Sequence, residues 1–335
     1  MGAPVGELND EVSSLEAAGE PVGDIQGRTP GQLAWARLKH DKVSMTALVV
    51  VVIVVLIALS EPVFRYFGLF NPYTTHDNLI LGFGSVPQGA RGGMSLTHPF
   101  GVEPGTGRDI LSRCLLGVTY SLMIATSAVI ISAVIGTIVG IVSGYMGGAV
   151  DFWLGRFMDL ILSFPQLLML LALSSVLKDR IASILNTGPT SVTVSASYLI
   201  LVLGFFGWPY LARIIRGQVL TMRSREFVEA AESLGATRRR IWFRELLPNL
   251  WAPLIVYVSL TLPLNIGAEA ALSFLGVGLQ EPAPSLGKIL NDSVNYYVAD
   301  PTYFFIPGIL LLIIVLAFNM LGDGLRDALD PKSGR

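Results

Sequence analysis

Six apolar runs, at residues 43–59, 122–142, 160–177, 192–210, 250–272 and 303–321, constrain this 335-residue chain more than any other feature. A helix crossing about 30 Å of hydrocarbon needs roughly 20 mostly apolar residues, because its backbone can bond only to itself there. The sequence therefore predicts an all-α integral membrane protein with six transmembrane helices. Charge agrees: 14% of the residues are charged, against about 25% in a soluble domain. The near-balance of 23 Lys+Arg and 25 Asp+Glu argues against a nucleic-acid binder. One cysteine, Cys114, and three scattered histidines (His40, His76, His98) exclude a disulfide framework and a Cys- or His-rich metal site.

Six crossings place both termini on one side of the bilayer. With the termini inside, sixteen Lys and Arg fall on the inner segments and seven on the outer ones, the asymmetry expected of cytoplasmic loops. Residues 1–30 carry six acids against Arg28 and lack the apolar core of a signal peptide; such a stretch is expected to stay unfolded. Residues 31–43 turn basic and amphipathic, with Leu33, Trp35 and Leu38 among Arg37, Lys39 and Lys42. They read either as an interfacial helix or as a plain positive-inside anchor. The membrane domain then runs from 44 to 325, and 326–335 form an inner tail. Residues 60–107 form an irregular outer loop, with a separate helix expected over about 106–116 along the outer interface.

Small residues recur every fourth position in the second run: Ala128, Ser132, Gly136, Gly140 and Gly144. On a helix they make one smooth stripe that lets a neighbouring backbone approach, in this chain or in another. Three polar groups fall within or beside the spans. Asp159 lies three residues from Arg156, spaced for an i,i+3 pair. Asn265 and Glu269 lie four apart on one helix face. All three are candidates for a translocation path or for interhelical hydrogen bonds.

The segment 213–249 is the longest inner loop between two spans. One helix is expected to start at Ser224 as N-cap, with Glu226 in the first turn and an apolar stripe of Phe227, Ala230, Ala231 and Leu234. Gly235 stands where a left-handed cap would end it. Thr237 can cap a second helix containing Ile241, Trp242 and Leu246 before Pro248. Arg238, Arg239 and Arg240 then occupy its first turn, against the helix dipole at roughly 0.3–1 kcal/mol each. Anionic lipid, orientation bias and an acidic partner surface could each explain them. By physics alone, the first helix suits docking into a groove of a soluble protein or lying on lipid.

Glu229-Ala230-Ala231, Gly235-Ala236 and Leu247-Pro248 resemble the EAA loop of importer-type ABC permeases, placed before the penultimate span as in that family. Further stretches resemble its dipeptide/oligopeptide (DppC/OppC-like) branch. They include His98-Pro99-Phe100-Gly101, Gly107-Arg108-Asp109, Gly144-Tyr145 with Gly147-Gly148, Leu272-Ser273-Phe274-Leu275-Gly276, and Gly322-Asp323. The resemblance implies a type I permease fold and a coupling helix in 226–248 that sits in a cleft of an ATP-binding subunit. It also implies a second, DppB/OppB-like permease subunit, two ATP-binding subunits and an extracytoplasmic peptide-binding protein, in a bacterial cell membrane. Peptide is the cargo favoured by overall likeness; a nickel or metal-chelate importer shares the same loop. Two departures stand out: Glu245 where the branch usually carries His, and the long acidic first thirty residues.

The sequence holds no G-x-x-x-x-G-K-[ST] loop to cradle phosphates, so ATP and Mg are expected in partner subunits and no cofactor or catalytic group in this chain. A stand-alone secondary transporter would need an internal repeat, and none is evident. An intramembrane aspartyl protease would need a second aspartate facing Asp323 within the membrane, whereas Asp323 falls at a helix end among Arg326, Asp327 and Asp330.

Overall fold

The computed structural model describes residues 30–82, 86–89 and 91–330; the acidic segment 1–29 and the last residues 331–335 lie outside them. Among the described residues every regular element is a helix, with two isolated bridges, Ile80–Pro87 and Val102–Asp109, in the long loop. The elements are α1 (Pro30–His40), α2 (Lys42–Tyr66), α3 (Ile110–Met146), α4 (Gly148–Ser163), α5 (Gln166–Ala172) and α6 (Ser174–Leu185). They continue with α7 (Val192–Met222), α8 (Glu226–Ser233), α9 (Trp251–Phe274), α10 (Leu286–Ser293) and α11 (Pro301–Leu329).

The seam between α3 and α7 organises the bundle. A Cβ placed on Gly136 would lie 2.8 Å from the Trp208 carbonyl oxygen, one on Gly140 2.7 Å from the Ile215 Cβ, and one on Gly144 2.9 Å from the Arg216 carbonyl oxygen. Ser132 donates to the Gly204 carbonyl at 2.9 Å, and Ala128 is fully buried nearby. The small-residue stripe thus finds its partner within the chain. Both helices climb together along these contacts, so they run parallel. Parallel neighbours require the chain between them to recross the bilayer, which makes the count six rather than five.

That return is not the single helix expected over 160–177. It is α4 and α5, bent by 76°, with Pro165 at the break. Proline lacks an N–H and clashes with the preceding turn, so the helix stops there. The helix expected separately over 106–116 is also corrected. Asp109 accepts from the Ser112 N–H at 2.7 Å and caps α3, so the helix starting at Ile110 runs unbroken through the second span for 37 residues. At about 1.5 Å per residue this is roughly 55 Å, far beyond about 30 Å of hydrocarbon. Helix α2 likewise carries on through Tyr66 into the segment expected as loop.

Helix α1 is held against α11: Leu38 is buried, and Arg37 donates to the Asp330 carbonyl at 2.9 Å. Residues 326–329, expected in a tail, belong to α11. Beyond the amino end of α3, charged side chains bind the long loop to the rest. Arg108 reaches Glu103 and Glu281, both at 2.6 Å; the buried Arg113 reaches Glu281 at 2.9 Å; Tyr303 donates to Glu103.

Candidate functional site

At the carboxy ends of α3 and α7 the chain leaves the bundle for the segment 223–250. Helix α8 begins at Glu226 with Arg225 as its N-cap. Ser224, expected in that place, instead turns its hydroxyl back to the Thr221 carbonyl. Glu226 and Glu229 lie in the first turn, where negative charge suits the helix dipole.

The expected single apolar stripe divides in two. Val228 is fully buried, while Leu234 is 88% exposed; Phe227 and Ala231 turn partly inward, and Glu229 and Ala230 face outward. The inward face packs on Ile141, Ile215, Val219, Ile241 and Leu246. The helix therefore docks to its own protein through 227, 228 and 231 and presents 230 and 234 away from it, while the exposed Glu229 lines a cleft shared with Tyr145.

Gly235 ends α8 at φ +76. Its N–H donates to the Glu232 carbonyl at 2.9 Å, and the Ala236 N–H to the Ala231 carbonyl at 3.0 Å, the paired closure of a Schellman cap. A Cβ here would meet nothing within 4 Å, so glycine is required by conformation rather than by space. Thr237 caps the next turn through the Arg240 N–H at 3.4 Å, as expected. Arg238, Arg239 and Arg240 are all exposed.

The second helix departs from a plain α-helix. Residues Ile241–Leu246 form a π turn and Leu247–Leu250 a 3₁₀ turn before α9 begins at Trp251. Pro248 supplies the reason, having no N–H for the Arg244 carbonyl. The neighbouring Glu245 carbonyl is taken by the Asn249 side chain at 2.7 Å. Ile241, Leu246 and Leu250 are buried, whereas Leu247 is half-buried and Pro248 exposed.

Two links from the bundle to this end were not expected from the sequence. Tyr145, near the end of α3, donates to Glu232 on α8 at 2.7 Å, and its ring meets Trp242 edge-on at 6.2 Å. Asp151 on α4 accepts from Ser143 on α3 and from Arg216 on α7, both at 2.5 Å, joining three helices. Partners 65 and 87 residues apart carry no periodic signal, so neither the Arg216–Asp151 nor the Tyr145–Glu232 bond could be found from spacing.

The polar groups of the spans separate. Asp159 pairs with Arg213 of α7 and, at 3.6 Å, with Arg156; its side chain is half exposed. Glu269 is enclosed, accepting from Ser121 on α3 at 2.5 Å and from Ser273 at 2.7 Å. Asn265 is buried with its Nδ2 unpartnered among the described residues. The Ser121 bond joins Glu269 on α9 to α3. No group of three or more His, Cys, Asp or Glu able to hold a metal occurs among the described residues.

A chain in the inward-facing MetNI methionine ABC transporter shares this architecture, with a TM-score of 0.51 over 66% of this chain and 98% of that one at 22% identity. The helical bundle thus shares the fold of that chain. Residues 136–335 match the family described as binding-protein-dependent transport system inner membrane component, and residues 29–80 match the N-terminal transmembrane domain of oligopeptide transport permease C. The chain is 36% identical over 307 residues, 92% of each sequence, to the glutathione transport system permease protein GsiD of Escherichia coli O6:K15:H31 (strain 536 / UPEC). The GsiD of Shigella boydii serotype 4 (strain Sb227) is equally similar. The chain belongs to the family of binding-protein-dependent transport system inner membrane components. Membership implies an ATP-hydrolysing partner and a substrate-binding protein.

Proposed function

We propose that this chain is one of two unlike permease subunits of an ATP-driven importer for small peptides, with both termini and the 223–250 segment in the cytoplasm. A DppB/OppB-like chain completes the path, two ATP-binding subunits hydrolyse ATP, and an extracytoplasmic binding protein delivers cargo; this chain itself is non-catalytic. The inner-side excess of Lys and Arg supports the orientation. The resemblance to GsiD, named for a tripeptide, supports the cargo. The observation that carries the coupling role is the outward face of α8, where Leu234 stands 88% exposed one turn from the exposed Ala230. A large apolar side chain so exposed next to an ordered cap suits a hydrophobic groove on a soluble partner. Closure of the ATP-binding pair would push this segment and swing the bundle between inward- and outward-facing states.

Leu234→Asp tests it. The side chain touches little in this chain, so membrane insertion and Tm should hold. Co-purification of the ATP-binding subunits and peptide uptake should both fall. Full co-purification with normal uptake would remove α8 from the interface.

A further inference from the structure

Helix α8 has only eight residues, too few to be stable by itself in water. Among its side chains only Val228 is fully buried. Its orientation therefore depends on a small set of contacts, and one of them is polar. Among the described residues, the Tyr145 hydroxyl makes the one side-chain hydrogen bond between α3 and α8, at 2.7 Å to Glu232. The same ring lies edge-on against Trp242, which belongs to the π turn on the far side of Gly235. Tyr145 thus touches both arms of the 223–250 segment. A polar cleft lined by Tyr145, Arg223, Glu229, Glu232 and Arg238 opens beside it, so α3 and α8 are not packed flush there. Two residues away, Ser143 binds Asp151, which binds Arg216, tying this end of α3 to α4 and α7.

We propose that Tyr145 is a positioning residue, a strut that sets the angle of α8 and passes its movement to α3 through the Glu232 carboxylate. The inference rests on α8 being the element that the ATP-binding subunit moves. A hydrogen bond to a charged acceptor that constrains a short helix is strong enough to shift such an equilibrium by roughly tenfold when lost. The ring contact is separable from the bond, because phenylalanine keeps the first and removes the second.

The experiment uses the full complex with its binding protein in lipid vesicles and measures peptide moved per ATP hydrolysed. Y145F should leave assembly and Tm unchanged and lower that ratio about tenfold. E232A, at an exposed position, should do the same, while E232Q, which keeps an acceptor oxygen, should retain most of the ratio. A role confined to packing would leave Y145F and E232A at the wild-type ratio. Either that result or identical behaviour of E232Q and E232A overturns the strut. If the unaltered complex holds no ATP-binding subunit, the underlying reading of α8 fails, and the strut fails with it.

Discussion

Replacing Gly235 isolates conformation from sterics. The residue sits at φ +76 with nothing within 4 Å of where a Cβ would stand. The cost of a side chain is therefore the left-handed penalty alone, roughly 1–2 kcal/mol for an ordinary L-residue. It is larger for a β-branched one and smaller for asparagine, whose short side chain tolerates this region. If the cap relaxes to avoid it, the Ala236 N–H and Gly235 N–H lose their carbonyls and α8 no longer turns at this point. A penalty of that size shifts the local equilibrium by about 5–30-fold. In reconstituted complex, binding-protein-stimulated ATP hydrolysis should fall in the order Gly, Asn, Ala, Val, while insertion and Tm stay near wild type because the site is exposed. A Val variant with normal stimulated hydrolysis, or an Asn variant as impaired as Val, would refute the reasoning.

Two further outcomes follow from packing and charge. Gly140→Val should destabilise the bundle by about 1–3 kcal/mol through overpacking, since a Cβ there lies 2.7 Å from Ile215 and 2.8 Å from the Ala212 carbonyl; Gly217→Ala, with no neighbour within 4 Å, is the control in thermal unfolding. At the long-loop network, burial pushes the Glu281 carboxyl up, but the Arg108 hydrogen bond and the Arg113 charge outweigh it and leave it below its ordinary 4.5. A depressed carboxylate stabilises the folded state above the unfolded value and loses that contribution as pH falls through the folded one. Tm should therefore drop on acidification below about pH 4.5, and Glu281→Gln should flatten that part of the profile; an unchanged slope would disprove the contribution of this pair.

The apolar runs made the spans legible because hydrocarbon imposes one length on every crossing. Gly235 and Thr237 were legible because helix ends have local chemistry. Ser224 stands one residue before the N-cap because Arg225, with no capping oxygen, fills a position that the fold sets by packing Val228 inward. The same packing divided the stripe at Ala231 and Ala230, which no period of 3.6 could separate. The break in the third run and the start of α3 carry local signals: Pro165 inside that run, and Asp109 three residues before Ser112. The Tyr145–Glu232, Asp151–Arg216 and Asp159–Arg213 pairs had none, because the partners lie 54–87 residues apart.

The glycine seam has a mechanical corollary. Two rods in backbone contact at successive turns bend and rotate as one beam, so α3 and α7 have no freedom to slide against each other. A pivot for the proposed transport cycle is therefore expected outside this pair, where the 76° break at Pro165 lies.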